Sequence, residues 1–393
     1  MFDSLHFFRT PTHSVALALP FALEEVIEAW SRLRFPMAKT CPDAFSRDEW
    51  AYLTGFLDRE HLWQIVQEAI GLPEEQPSGT VRLLLRPRGR VAVWLPNNVT
   101  LLGPLLLVLL SLTGNKVRLK VGTHCADLAG TLLRFALEHQ EDDALESILR
   151  DRVQIESFGH EDPRQQEMAA GAQVRIVFGS NETAEAIQAL PNPLESNGFS
   201  FVDRQSEAWA DEKSLTDAVL SDLIKVFSIY GQAGCTAPRR LVVLGASMEG
   251  ALELRDRLSA LWPQVLPKRP PVHLASANVL GCQWAAAMGW QATLVEGNQT
   301  VLALGTLDLP EVHSPMTLMI CPATLEEAIR RLPPQIQTIG YAFQDTGDPQ
   351  WLAVVARSGI KRWVPLARMH HFGAVWDGHS FWRQTFEAVE IGP

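Results

Sequence analysis

The sequence predicts an α/β protein built on twisted, mainly parallel sheets with helices on both faces. Three observations carry this. From residue 89 onward, short runs rich in apolar and β-branched residues alternate with longer stretches of helical periodicity. The first of these runs is almost continuously apolar, as a strand buried on both faces must be. At 393 residues, 47% apolar and 20% charged, the chain is globular in composition and long enough to bury two cores.

Taken in order, residues 1 to about 75 read as helical. The stretches 21–30 and 48–70 both carry apolar residues three and four apart. Gly71 to Gly79, punctuated by Pro73 and Pro77, reads as a connection. Gly89–Leu95 is the first buried strand, residues 99–112 a greasy helix, Lys116–Lys120 a second strand and Asp127–His139 a second helix. Val174–Phe178 is a later strand, closed by Gly179-Ser180 and a helix through Leu190. Pro191-Asn-Pro193 punctuates the chain. A second α/β region follows, with helices at 214–228 and 248–261 around a strand at Arg240–Leu244. Pro263–Pro271 reads as a proline-rich loop, Glu326–Leu332 as a helix and Gln337–Gly340 as a strand.

Composition narrows the function. A net charge of −11 with no basic stripe argues against nucleic acid as partner. The longest apolar run, Val99–Leu112, is too short to span a membrane and is broken by Gly103-Pro104. Met1–Leu19 lacks the basic start of a signal peptide, so a cytoplasmic location is expected. Cysteines at 41, 125, 235, 282 and 321 form no CxxC, which points away from zinc and from a disulfide framework. His370, His371 and His379 lack metal-ligand spacing, so no metal site is expected. The glycine-rich fingerprints of dinucleotide and nucleotide loops and the GxSxG elbow are absent.

One segment carries chemistry. In Tyr230-Gly-Gln-Ala-Gly-Cys235-Thr-Ala-Pro238, glycines flank a glutamine just before a cysteine. A tight turn between a helix and a strand would present that sulfur, and a thiol favoured as thiolate is a nucleophile for acyl transfer. The alternative is a small cysteine packing as a hydrophobe.

This segment resembles the catalytic-cysteine loop of the aldehyde-dehydrogenase superfamily and, more closely, that of the LuxC-type acyl-CoA reductases, the fatty-acyl reductases of bacterial bioluminescence. Other stretches agree in order: Arg86-Pro-Arg-Gly89, Leu95-Pro-Asn-Asn98, Gly114-Asn115 with Lys120, Phe178-Gly-Ser-Asn-Glu-Thr183, Gln335–Gly340, Gly359-Ile-Lys-Arg362 and Trp376-Asp-Gly378. The resemblance covers roughly residues 80–380.

It implies an aldehyde-dehydrogenase-like fold. A helical segment (1–78) would pack on an NAD(P)-binding Rossmann-like domain (79–204), followed by an α/β catalytic domain (205–368). A C-terminal segment (369–393) would pack back or join subunits. Cys235 becomes the acyl-carrying nucleophile, with the Asn98 amide and the Cys235 N–H holding the oxyanion. Asn98 also suits a helix N-cap. Lys120 would contact the adenosine ribose or its phosphate, its alternative being an exposed strand-end lysine. Gly179 and Ser180 would lie near the diphosphate at a helix start, and Pro96 in the turn beside them. The cofactor is NADPH or NADH, with Arg118 and Lys120 favouring NADPH.

The implied reaction is reduction of an acyl-CoA or acyl-carrier-protein thioester to an aldehyde. A partner acyl-synthetase or carrier protein and a homo-oligomer are expected. Leu194-Glu195-Ser-Asn-Gly198 is a degraded echo of the glutamate segment of oxidising aldehyde dehydrogenases, six residues further from the cysteine than usual, and also aligns with a Gly-x-x-x-Ser segment of the reductase branch. Two other classes stay open: an oxidising enzyme with Glu195 as base, and a non-catalytic assembly subunit.

Overall fold

The computed structural model describes residues 14–70, 81–232, 234–343 and 349–391. The described residues divide into two compact units: one comprises those from Ser14 to Val202 together with Phe372–Ile391, the other Asp203–His371.

The first unit contains β1 (Ser14–Leu17), β2 (Val81–Pro87), β3 (Arg90–Trp94), β4 (Lys116–Val121), β5 (Val153–Ser157), β6 (Val174–Gly179) and β7 (Asn197–Val202). Five of these form an all-parallel sheet in the order β5-β4-β3-β6-β7. The order reverses at β3 and β6, the topological switch point of a doubly wound sheet. The helix after β3, Leu102–Ser111, is buried on every side, as its uniformly apolar sequence requires. Asp127 caps the next helix, Leu128–His139, by accepting the Gly130 N–H at 2.7 Å.

The stretch 48–70, read as continuous helix, is two: Arg47–Phe56 and Arg59–Ile70. Asp58 makes the break. Its carboxylate accepts the N–H groups of Glu60 and His61 at 3.1 and 3.2 Å and the Arg34 guanidinium at 2.6 Å, which starts a new helix there.

The second unit holds β8 (Gln205–Asp211), β9 (Pro238–Leu244), β10 (Gln291–Leu294), β11 (Val301–Leu304), β12 (Thr317–Ala323), β13 (Ile336–Ala342) and β14 (Arg362–Pro365). They form one sheet in the order β10-β11-β12-β9-β8-β13-β14, parallel except for β10. Alternate residues serve opposite faces: Ala208, Leu241, Leu318 and Ile320 pack in one core, Trp209 and Val242 in a second and Met319 and Cys321 in a third. Pro263, read as the start of a loop, lies inside the helix Met248–Val265. Only its last turn follows the proline, and the neighbouring Trp262, fully buried edge-on to Phe227, holds it down. The helix Val272–Ala287 and strands β10, β11 and β12 are absent from the sequence reading above.

A third, small sheet belongs to the first unit: β2 lies between β1, which it pairs in parallel, and β15 (Phe386–Glu390), which it pairs antiparallel. The expected connection at 71–79 lies outside the described residues, while the expected strand at 89–95 is preceded by β2. Among the described residues no helix is long and apolar enough to cross a membrane.

Candidate active site

In the first unit, the carboxyl edge of the five-stranded sheet gathers Pro96 and Asn98 after β3, Lys120 near the end of β4, and Gly179-Ser180 at the end of β6. The crevice outside this edge at the switch point is where doubly wound sheets bind ligands. Ser180 caps the helix Asn181–Gln188 by accepting the Thr183 N–H, so the first-turn N–H groups open at this edge.

The turns after β3 and β4 interlock. A side chain at Gly122 would collide with Asn97, whose Oδ1 would lie 1.9 Å from a Cβ there. Asn97 Oδ1 also accepts the His124 N–H at 3.4 Å. Asn97 therefore braces the neighbouring turn, and both Asn97 and Asn98 are exposed. Nor is Asn98 the helix cap, because the helix starts at Leu102 with Leu101 in the cap position.

Lys120 is not the exposed strand-end lysine of the alternative reading: it is only 7% exposed, its backbone carbonyl accepting the Leu95 N–H and its Nζ 5.8 Å from the Phe158 ring centroid. Burial pulls its pKa below the ordinary lysine value, with nearby Cys125 opposing. Among the described residues no carboxylate pairs with it. A buried ammonium beside the Phe158 ring and Cys125, with no carboxylate partner among the described residues, fits a site for a polar or anionic ligand group. Arg118, by contrast, is occupied: it bonds Glu156 at 2.8 Å and Glu167 at 3.1 Å. The basic neighbourhood read from the sequence thus reduces to Lys120.

Glu195 precedes β7, whose far end, Val202, pairs with Gly179. Six residues of strand, about 20 Å, separate it from the edge that carries Lys120 and Ser180. It is exposed.

In the second unit, Cys235 sits between the helix Asp217–Ser228 and β9. The Ala237 N–H donates to the Gly234 carbonyl at 3.0 Å, which makes Cys235 and Thr236 the central residues of a β-turn. The approach to that turn is left-handed, with φ of +60° at Gly231 and +66° at Gln232. Three side chains anchor the segment. Gln232 bonds both backbone groups of Thr317, Ser206 Oγ donates to the Cys235 carbonyl at 2.7 Å, and Thr236 Oγ1 lies 2.6 Å from His370 Nδ1. Cys235 itself is half-buried.

Just beyond Ser206, Glu207 is buried in β8. It accepts from Trp209 Nε1 at 2.9 Å and pairs with Arg240 of β9 at 3.5 Å. Burial raises its pKa and Arg240 opposes that. Sequence reasoning named none of Ser206, Thr236, Glu207 or His370 as part of this framework. Their partners lie 29 to 144 residues away, except Trp209, and no local pattern marks them.

Comparison with known proteins follows the same lines. No curated protein sequence matches the chain significantly. Among solved structures, an oxidoreductase from Marinobacter aquaeolei superposes with a TM-score of 0.65 at 11% identity, over 94% of this chain and 84% of that one. An aldehyde dehydrogenase from Bartonella henselae gives 0.61 at 14% identity over 94% and 85%, and a Thermus 1-pyrroline-5-carboxylate dehydrogenase with bound NAD gives 0.63 at 11% over 94% and 80%. The fold is therefore that of the aldehyde dehydrogenases. The family model of the acyl-CoA reductases (LuxC) matches residues 43–382, and with most of its length matched the chain belongs to that family.

Proposed function

We propose that the chain reduces an acyl thioester, carried by CoA or by an acyl-carrier protein, to an aldehyde through an acyl-cysteine at Cys235. The observation that carries this reading is the braced β-turn that presents the Cys235 thiol at the amino end of β9. Within a family of acyl-CoA reductases, a cysteine anchored on both sides fits a nucleophile better than a packing residue.

Cys235, as thiolate, attacks the thioester carbonyl. The carbon–sulfur bond to the carrier breaks, and the pantetheine thiol leaves with a proton. When bound, a reduced nicotinamide would supply the hydride that the resulting enzyme thioester accepts. Asn98 and the Cys235 N–H stabilise the oxyanion of the thiohemiacetal. Collapse releases the aldehyde and returns the Cys235 thiolate, and no water-activating base is required. Lys120 and the N-terminus of the helix Asn181–Gln188 would hold the cofactor. We assign it as NADPH, with NADH as the alternative: the turn Gly122–Cys125 after β4 carries no carboxylate of the kind that selects an unphosphorylated ribose.

A panel of acyl-CoA and acyl-carrier thioesters, followed by NAD(P)H consumption and aldehyde formation, tests this reading. Given thioester without cofactor, the wild type should gain the mass of one acyl group on the peptide 231–240, and Cys235→Ala should gain none. Oxidation of aldehyde to free acid with no thioester reduction, or an adduct on another cysteine, would overturn it.

A further inference from the structure

His370 lies second from the end of its unit, 134 residues after Thr236. Among the described residues its ring bonds Thr236 and Val226. Nε2 lies 2.6 Å from the Val226 carbonyl, in the last turn of the helix Asp217–Ser228, where carbonyls lack helical partners. A carbonyl only accepts, so Nε2 carries the proton and donates. Nδ1 is then a lone pair that accepts the Thr236 hydroxyl at 2.6 Å. The ring is set from behind by Arg362, a buried guanidinium that donates to the carbonyls of Met369 and His371 at 2.9 Å each, one on either side of His370.

The Cys235–Thr236 peptide is therefore fixed twice. Ser206 holds its carbonyl oxygen and His370 holds the side chain of the residue that follows. The two anchors restrain the planar peptide at both ends, at its carbonyl oxygen and at the residue that follows. We propose that His370 is a positioning residue of the nucleophile turn: through Thr236 it aims the Cys235 thiol and the turn's backbone at the acyl carbonyl, without touching the substrate. This rests on the reading of Cys235 as nucleophile. The imidazole suits the task because it is neutral at working pH. Burial, with Arg362 and His371 adding to it, pushes its pKa down to about 4, against the opposing Val226 carbonyl.

The test compares His370→Ala, His370→Gln, Thr236→Val and Thr236→Ser with the wild type in three measurements. These are acylation of Cys235 by acyl-CoA in a single turnover, alkylation of Cys235 by iodoacetamide, located by peptide mass, and KM for NADPH. Circular dichroism identifies variants that fold. His370→Ala and Thr236→Val should each slow acylation about tenfold or more (about 1.4 kcal/mol), with KM for NADPH within about twofold of wild type. Thr236→Ser, which keeps the hydroxyl, should acylate close to the wild-type rate. His370→Gln, which keeps a donor and an acceptor, should recover part of it. The double variant His370→Ala with Thr236→Val should be no slower than either single one, because both remove the same link.

Acylation unchanged in folded Thr236→Val, or losses that multiply in the double variant, would overturn the proposal. If wild-type Cys235 is not acylated by any thioester, the functional reading fails instead. The alkylation rates then still decide whether the His370–Thr236 link controls the thiol, a several-fold change in both variants supporting it and unchanged rates refuting it.

Discussion

The side-chain amide of Gln232 and the backbone of Thr317 close a ring of two hydrogen bonds. Nε2 donates to the Thr317 carbonyl at 3.0 Å and Oε1 accepts the Thr317 N–H at 3.2 Å. The amide thus imitates one peptide of a neighbouring strand at the start of β12, 85 residues later. Gln232 is held at φ +66°, a conformation that costs a non-glycine residue about 1–2 kcal/mol. The paired bonds offset that cost and hold the approach to Cys235 in its left-handed path. Gln232→Ala should slow acylation of Cys235 about tenfold while KM for NADPH stays within about twofold, since no expected cofactor residue is touched. Steady-state and single-turnover kinetics check this; an unchanged acylation rate would make the ring dispensable.

Lys120 gives a test on the cofactor side. Lys120→Met keeps the buried hydrocarbon against Phe158 and removes the charge. KM for NADPH should rise about tenfold or more, which corresponds to about 1.4 kcal/mol of lost binding, and KM for the thioester should hold. Unchanged cofactor affinity in a fluorescence titration would take Lys120 out of the site.

Glu195→Gln should leave thioester reduction within about twofold of wild type. The residue is exposed at the amino end of β7, a strand's length from the edge that carries Lys120 and Ser180. A loss of about a hundredfold, the scale of removing a general base, would return Glu195 to the machinery and revive the oxidising reading.

His370 also sets a pH dependence of stability. In the folded chain its pKa is lowered to about 4 from an ordinary 6.5. Above 6.5 both states are neutral, and the residue contributes no pH dependence. As pH falls from 6.5 toward 4 only the unfolded chain gains the proton, so stability is lost across that window, by at most about 3 kcal/mol. Urea midpoints measured from pH 7 to pH 5 should therefore fall more steeply for wild type than for His370→Gln. Parallel curves would mean that the imidazole titrates alike in both states.

Much of this arrangement was legible in the sequence, and the exceptions have physical causes. β3 and β6 declare themselves as apolar runs closed by turn residues, β4 as an alternation of charged and apolar residues, and the Gly-Gln-Ala-Gly-Cys segment marks its own turn. The helix Val272–Ala287 was missed because it contains no Asp, Glu, Lys or Arg and exposes Leu280 and Trp284, so no polar face marks a helical period. The break at Asp58 is not legible because the apolar spacing runs through it, and the bonds by which its carboxylate starts a new helix appear only in the structure. His370 was weighed solely as a metal ligand. What defines it is a threonine 134 residues earlier, and such a pairing has no local signature.

The small sheet that joins β1, β2 and β15 has a consequence for how the protein is made. Glu387 of β15 bonds Arg86 of β2 across 301 residues of sequence, and Phe381, Trp382 and Phe386 are buried beside it. At about 5–20 residues per second, a ribosome that has finished β2 needs roughly 15–60 s more to deliver its partner. Through that interval one edge of β2 lacks its native neighbour, and the first unit completes its fold only after the whole of the second has been synthesised.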